Sequence, residues 1–358
     1  MVHPHDAAPW PREGCPAADG HLTLAGICAD FARREAALRG RAAAAGMTRR
    51  EFLEALAAGA AVATLGAAGA GRAAAADSPA RSRVVVVTHP EVIIKEYRVN
   101  PPVVGQMLDR AIMELTGKRS EDAAWAAVGH EGDFVAIKHN SIGRPTLHSH
   151  TEINDVLASR LAAVKVDPKR ILAVDRQVPP PYDELSDAFS LPSRGLKTRL
   201  RRLYTDQATA IVNVSVLKAH FGEGVSAALK NHLGSVNNPA AFHGWEPDRM
   251  PKSLPELSAL APLRQKTRLV IIDAIRPLFA GGPADNEEYR WDCRALIVAT
   301  DPVAATAVGI DLLEKKRAEV RGKEWPMTAA RQMVAYGQTI GLGSAESGRI
   351  DVVRADMG

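Results

Sequence analysis

The residues best suited to chemistry lie between Ile211 and Trp245, in the stretch IVNVSVLKAHFGEGVSAALKNHLGSVNNPAAFHGW. An apolar strand is predicted to end at Leu217 and to deliver Lys218 and His220 just beyond its carboxyl end. Open parallel sheets bind their ligands at that edge. Lys218 would neutralise an anion there, and His220 would act as general acid or base because histidine titrates near neutral pH. These two residues are the candidate catalytic pair.

The segment that follows is predicted to add ligand-binding groups. Gly222 and Gly224 would form a flexible turn into a helix over residues 225–230, with Lys230 and Asn231 at its far end. The first amide groups of a helix have no internal partner, and the helix dipole favours negative charge there. The pattern therefore predicts a site for a small carboxylate or phosphate. The simpler alternatives are that Lys218 is a surface lysine and that Lys230 and Asn231 only stabilise a helix C-terminus.

Similar residues follow other predicted strands. The strand VAIK ends in Lys138 and is followed by Asn140, and Asp273 closes an apolar strand over residues 269–272. Because the carboxyl ends of parallel strands meet at one edge of a sheet, we expect these three side chains to converge with Lys218. His243, in a loop beside a tryptophan, is the last candidate ligand-binding residue.

Two other functions fit the same residues. A metal-dependent enzyme would use His220, His243 and Asp273, or the pair His148 and His150 in the loop after the second strand. The metal interpretation lacks a local third ligand for that pair. A non-catalytic binding protein would use the same anion pocket without a titrating group. The residues leave open whether the protein is an enzyme, and they name no cofactor and no substrate.

Short apolar runs alternate with helical stretches, and this order must position the candidate residues. Alternating strands and helices are typical of an α/β fold with a mostly parallel sheet and helices on both faces. Long connections over residues 177–192 and 237–262 are predicted to be functional loops. Strands are predicted over residues 84–88, 134–138, 171–174, 210–217, 269–273 and 295–300, and helices over 101–114 and 152–164.

The composition excludes several classes of protein. The chain has 358 residues, of which 46% are hydrophobic and 24% charged, values that are typical of a globular protein and not of a disordered or collagen-like chain. Its three cysteines, Cys15, Cys28 and Cys293, form no CxxC pair, which excludes zinc ribbons, ferredoxin-type iron–sulfur clusters and c-type haem attachment.

The charge pattern argues against a nucleic-acid partner. The 45 basic residues are nearly balanced by 41 acidic ones, for a formal net charge of +4. The only basic cluster is Arg199, Arg201 and Arg202, on a predicted helix over residues 196–204. A solvated helix face is the simpler interpretation of this cluster, and an anionic partner is the alternative.

The N-terminal region has the pattern of an export signal. The string TRREFL at residues 48–53 fits the twin-arginine pattern, an uncharged stretch follows over 55–71, and three alanines at 74–76 offer a cleavage site. A single alanine-rich helix is the simpler alternative. The expected organisation is a leader or misplaced start over residues 1–46, a signal peptide over 47–76, and one α/β domain over 77–358 with its core at 83–315.

Export would have consequences for location and partners. The twin-arginine translocase would be a partner during export, and the mature protein would lie in the periplasm or otherwise outside the cytoplasm. No other apolar run reaches the roughly 18–20 residues that span a bilayer, so no stable membrane span is expected after cleavage.

Four segments follow one another in a characteristic order: VAIKHN at 135–140, LKAHFGEGVSAALKNHLGSV at 217–236, IIDAI at 271–275 and ATDPVAATAVGIDLL at 299–313. In type and order they resemble the domain-of-unknown-function family 362. They match the family's K-x-N strand, its K-x-H segment with L-K-N-x-x-G, its strand ending in aspartate, and its D-P-V-A helix start. Many members of that family look like exported twin-arginine proteins, so the resemblance implies export. Other members carry a ferredoxin-like cysteine cluster. This chain lacks the cysteines, so no iron–sulfur cluster is expected, and the resemblance implies no particular reaction.

Overall fold

The computed structural model describes residues 81–220, 224–242 and 250–358. The predicted leader and signal peptide lie outside the described residues, as do Gly222 and His243. Within the described ranges, no helix has both the length and the apolar character that crossing a bilayer requires.

The described residues form twelve strands. Their bounds are β1 Ser82–Thr88, β2 Ile93–Lys95, β3 Arg98–Val99, β4 Val135–Lys138, β5 Ile171–Val174, β6 Leu185–Leu191, β7 Leu196–Arg201, β8 Ala210–His220, β9 Gly224–Ser226, β10 Thr267–Leu278, β11 Ala295–Ala299 and β12 Ile350–Asp356. Eight of them make the main sheet, in the order β12-β1-β11-β10-β8-β4-β5, with β9 paired to the end of β8. Two separate pairs, β2 with β3 and β6 with β7, are antiparallel.

The sheet is mixed but mostly parallel along the path that carries the candidate residues. Strands β10, β8, β4 and β5 are parallel neighbours, and β12 is parallel to β1. Strand β11 runs antiparallel to both of its neighbours, β1 and β10. Every residue of β8 is buried, as expected for a central strand covered on both faces. The predicted α/β class is confirmed.

Helices cover both faces of the sheet. Their bounds are α1 Pro101–Thr116, α2 Glu121–Trp125, α3 Thr151–Ala163, α4 Ala228–Asn231, α5 Met250–Ser258, α6 Ala261–Arg264, α7 Pro302–Arg321 and α8 Thr328–Thr339. Helices α1 and α3 pack with Val212 and Val214 of β8 on one face. Helices α7 and α8 pack with Ile211 and Leu217 on the other face. Successive residues of a strand point to opposite faces, which assigns each β8 side chain to one of the two cores.

The prediction of a helix over residues 225–230 is wrong. Residues Gly224–Ser226 form β9, which folds back and pairs antiparallel with the end of β8. Gly224 has φ +82°, and a Cβ atom there would collide with the backbone of Ala330, so the position suits glycine. The helix α4 begins only at Ala228 and has four residues. The predicted anion site at a helix N-terminus is therefore absent from this part of the described chain.

Two other elements differ from the prediction. The segment predicted as a helix over residues 196–204 is mainly the strand β7, which carries Arg199 and Arg201. Thr198 and Leu200 are buried, while Lys197 and Arg199 are exposed. This alternation has the period of two that is typical of a strand and not of a helix. The partner strand β6 occupies part of the predicted loop over 177–192. Helix α5 lies within the predicted loop over 237–262, and α6 begins at its end.

Candidate functional site

Lys138, at the end of β4, is fully buried and fully paired. Its Nζ atom donates hydrogen bonds to Asp175 Oδ1 at 2.7 Å, to the carbonyl oxygen of His139 at 2.6 Å and to Asn231 Oδ1 at 3.2 Å. A buried ammonium group is tolerated when a carboxylate and further acceptors surround it. Lys138 therefore links β4 to the segments that carry Asp175 and Asn231.

Asp175 follows β5 directly and links three parts of the chain. Its Oδ2 atom accepts hydrogen bonds from the backbone N and the hydroxyl of Ser141 at 2.9 and 2.6 Å, while Oδ1 accepts from Lys138. Burial favours the neutral acid, but the charge of Lys138 and these hydrogen bonds lower the pKa of Asp175 to about 2. The carboxylate is thus ionised and ties the 140–150 loop to the sheet.

Asn231 and Gly234 pack against the ion pair of Lys138 and Asp175. Asn231 Nδ2 donates to the carbonyl oxygen of Lys138 at 2.8 Å and to Asn213 Oδ1 at 2.7 Å. A Cβ atom on Gly234 would lie 2.5 Å from Asp175 Oδ1 and 2.7 Å from Lys138 Nζ. The L-K-N-x-x-G segment therefore places an amide side chain and a bare backbone against the ion pair.

Lys218 is buried as deeply but has different surroundings. Its exposed fraction is 2%, and its Nζ atom donates to the carbonyl oxygen of Ile142 at 3.1 Å, with that of Leu147 at 3.5 Å. Within the described ranges, no carboxylate lies within salt-bridge distance of this ammonium group. Burial and the charge of Lys230 lower the pKa of Lys218 to about 8.

His150 and Asp273 form a hydrogen-bonded dyad on the Lys218 side of the sheet. Asp273 Oδ2 lies 2.6 Å from His150 Nδ1 and accepts from the backbone N of His150 at 2.8 Å, while Oδ1 accepts from the backbone N of Ile275 at 3.1 Å. Burial alone lowers the pKa of His150, but the charge of Asp273 and its hydrogen bond raise it overall. His148 lies beside the dyad, with its ring centroid 5.8 Å from that of His150.

The register of the sheet relates this dyad to Lys218. Asp273 of β10 pairs with Val216 of β8, and Lys218 lies two residues further along β8. Side chains two residues apart share a face of a strand. Asp273 and Lys218 therefore project from the same face of the sheet, near its carboxyl edge.

The other predicted residues lie around the same edge. His220 is buried at the last position of β8, opposite Gly224, and Lys230 is half-buried in α4. Asn140 holds the start of the 140–150 loop, because its backbone N donates to Ser149 Oγ at 2.9 Å and its carbonyl oxygen accepts from Ser149. The Asn140 Oδ1 atom is buried without a hydrogen-bond donor among the described residues.

The predicted residues are thus brought to one sheet edge but on two faces. Lys138 and Asn231 belong to the ion-pair network on the face of α7 and α8. Lys218 and Asp273 lie on the opposite face, under the 140–150 loop. Asp301, at the start of the D-P-V-A segment, accepts from the backbone N atoms of Val303 and Ala304 and is an N-cap of α7.

Sequence reasoning missed Asp175, Asn213 and the pairing of His150 with Asp273. Asp175 follows the apolar run of β5, and the signal that singled out Asp273, an aspartate after an apolar run, would have found it as well. Asn213 is a polar residue inside the apolar run of β8, which is itself a signal. The partner of His150 could not be read from the sequence, because the two residues are separated by more than one strand and helix.

A separate cavity of about 240 Å³ lies on the α7 face of the sheet. None of the predicted catalytic or ligand-binding residues lines it. Its lining includes Asn213, His232, Arg264 and Asp301. His232 is fully buried, and burial, together with the charge of Lys138, lowers its pKa to about 3, so this imidazole is neutral.

Metal ligation has no support from the geometry of the described residues. Within the ranges that the structure describes, no group of three or more His, Cys, Asp or Glu side chains is arranged to hold a metal ion. Asp273, a predicted ligand in the metal interpretation, is engaged by His150 and Ile275, and His243 lies outside the described residues.

Comparison with known proteins supports the family resemblance over part of the chain. Residues 190–311 match the family model described as a domain of unknown function, DUF362. No curated protein matches the chain. A crystal structure of a Thermotoga maritima protein from structural genomics is similar at a TM-score of 0.37 and 11% identity, over 62% of this chain and 61% of that one.

Proposed function

We propose that this protein binds a small anion, a carboxylate or a phosphate, at the carboxyl edge of its sheet. Lys218 and Lys230 supply the positive charge, and His220 together with the His150–Asp273 dyad supplies titratable groups beside it. Acid–base chemistry on the bound anion is the activity that this combination favours.

The observation that carries the proposal is the state of Lys218. A charged group that is removed from water is destabilised unless an opposite charge or several hydrogen bonds replace the water. Lys218 has only carbonyl oxygens as partners among the described residues, and a second lysine lies close enough to lower its pKa. A bound anion would provide the missing negative charge.

Lys138 supports the proposal by contrast. The two lysines lie on neighbouring strands, and both are almost completely buried. Lys138 has a carboxylate at 2.7 Å, so its charge is balanced within the protein. We therefore assign Lys138 and Asn231 to the support of the edge, and Lys218 to the ligand.

A non-catalytic binding protein is the competing function, and the His150–Asp273 dyad favours an enzyme over it. A buried carboxylate on Nδ1 fixes the tautomer of a histidine and leaves Nε2 as the proton acceptor. Simple binding of an anion does not require such an oriented imidazole.

The test compares anion binding by the full chain and two lysine variants. We expect inorganic phosphate or acetate to bind the wild-type protein in isothermal titration calorimetry, and Lys218→Met to weaken that binding at least about tenfold, a loss of about 1.4 kcal/mol. Lys169→Met is the matched control, because Lys169 is exposed beside the start of β5, at the opposite edge. Equal affinities in Lys218→Met and wild-type protein, with both folded by circular dichroism, would contradict the proposal.

A further inference from the structure

We propose that Lys218 is also a nucleophile, which forms an imine with an anion that carries a carbonyl group, such as a 2-oxo acid. This inference rests on the proposed anion site and names the class of ligand that the site takes. It adds a covalent step that anion binding alone does not require.

The first support is the environment of the amine. The Lys218 side chain extends from β8 to the carbonyl oxygens of Ile142 and Leu147 in the 140–150 loop. Leu147, Val216 and Leu278 form a small apolar cluster on this side of the sheet. Leu278 pairs with Lys218 itself in the register of β10 and β8. The Lys218 side chain is thus removed from water on the same side of the sheet as this apolar cluster, and two carbonyl acceptors keep its amine in place.

The second support is the balance of charge around the amine. Burial and the neighbouring Lys230 disfavour the ammonium form, whereas the carboxylates of Asp175 and Asp285 favour it more weakly. The resulting pKa of about 8 leaves roughly a tenth of Lys218 as free amine at pH 7 and about half at pH 8. A lysine in a desolvated site, or next to another cation, is activated as a nucleophile in this way.

Lys138 shows why the inference applies to one lysine only. Its ammonium is bound by the Asp175 carboxylate at 2.7 Å and by two further oxygen atoms. Burial lowers the pKa of Lys138 as well, but these three acceptors bind all three hydrogen atoms of its ammonium group and favour the charged form, in which the nitrogen has no lone pair. The two buried lysines therefore provide an internal comparison within one protein.

The reaction balances without any further reagent. Lys218 gives up one ammonium proton, and the free amine attacks the carbonyl carbon to form a carbinolamine. Return of the proton to the hydroxyl group allows water to leave. The net change converts an ammonium and a carbonyl into a protonated imine and one water molecule, and no electrons are transferred. The ligand's carboxylate would lie near the charge of Lys230.

The test is reductive trapping on the full chain. Pyruvate or glyoxylate is added with and without sodium borohydride, and the product is analysed by intact mass and by peptide mapping. We expect one reduced adduct per chain, located on Lys218, at a rate that rises as the pH approaches about 8. Lactate, which has the carboxylate but no carbonyl group, should give no adduct. Lys218→Arg, which keeps the charge, should also give none.

The outcomes separate this inference from the proposed function. If phosphate binds through Lys218 but no adduct forms there, the imine is wrong and the anion site stands. If neither binding nor trapping involves Lys218, both proposals fail. Adducts spread over exposed lysines at similar rates, or an adduct on Lys138, would equally overturn the inference. Peptide mapping of the wild-type protein gives this answer even if Lys218→Arg does not fold.

Discussion

At the scale of single residues, the two buried lysines show how neighbours decide the role of one residue type. Both follow apolar strand residues and both lie at the carboxyl edge. Lys138 faces Asp175, whereas Lys218 faces carbonyl oxygens and the charge of Lys230. Lys138 therefore forms a buried ion pair at the edge, whereas no carboxylate of the described residues lies within salt-bridge distance of Lys218.

The ion pair leads to a prediction about stability. Asp175→Asn should lower the free energy of unfolding by about 3 kcal/mol, because it leaves the buried Lys138 without its counter-charge. Asp167→Asn is the control, since that carboxylate is exposed and only caps a short turn. Urea denaturation followed by circular dichroism measures both. A loss in Asp175→Asn no larger than in the control would show that the pair does not stabilise the edge.

The same residue should give a pH dependence. Burial opposes ionisation of Asp175, but Lys138 and Ser141 outweigh it and hold the pKa at about 2, below the unfolded value of about 3.9. A depressed carboxyl pKa contributes stability above the unfolded pKa and loses it as the pH falls. The difference in unfolding free energy between wild-type protein and Asp175→Asn should therefore shrink between about pH 4 and pH 2. A difference that stays constant over this range would contradict the assigned pKa.

The residue types of the site were predictable, but their partners were not. Lys138, Asn140, Lys218 and Asp273 were expected at the ends of apolar strands. Lys138 ends β4 and Asn140 follows it, whereas β8 continues past Lys218 to His220 and β10 continues past Asp273 to Leu278. Which lysine meets a carboxylate depends on the position of β5 beside β4, and this order is set by packing of the whole sheet. The sequence therefore predicted the location of the charges and not their pairing.

At the scale of elements, the segment from β9 to α4 has the largest effect on the site. The segment leaves β8, returns along it as β9, and then turns at Ala227 into the four-residue α4. This path brings Asn231 and Gly234 against Lys138. The glycine is needed because any side chain would occupy the space of the ion pair.

This packing predicts the effect of a single methyl group. Gly234→Ala should destabilise the fold by about 1–3 kcal/mol, since its Cβ would lie 2.5 Å from both Asp175 Oδ1 and Lys138 Cε. Gly348→Ala is the matched control, because a Cβ atom at Gly348 would meet no atom within 4 Å and its φ is not positive. Thermal unfolding compares the two variants. Equal melting temperatures would show that the edge can move to admit the methyl group.

The elements were predictable where one pattern dominated. Short apolar runs predicted β1, β4, β5, β8, β10 and β11, and helical spacing predicted α1 and α3. The segment after β8 has no such pattern: its glycines and small residues favour neither helix nor strand. Pairing with β8 decides its structure, and only the tertiary fold provides that partner. The strand β12 was not predicted either, since it pairs with β1 from the far end of the chain.

At the scale of the whole molecule, the sheet collects residues that lie far apart in the chain. Strands β4, β8 and β10 are neighbours, although helices and loops separate them in sequence. The parallel path makes their carboxyl ends coincide, whereas the reversed β11 contributes its amino end to the same edge. A single edge therefore bears both the ion pair and the proposed ligand site.

Export is a prediction about the whole chain, carried by residues outside the described ranges. Arg49→Lys together with Arg50→Lys should abolish transport, because the twin-arginine pair is the feature that the translocase recognises. Cell fractionation and immunoblotting of the full chain should show the wild-type protein outside the cytoplasm, with a mature N-terminus at Asp77 if cleavage follows Ala76. Since such cargo crosses the membrane already folded, Asp175→Asn should be retained in proportion to its loss of stability, while the exposed-site variant Asp167→Asn should be exported normally. Wild-type protein that stays in the cytoplasm with its first eighty residues intact would contradict the export signal and would leave the fold and the anion site unaffected.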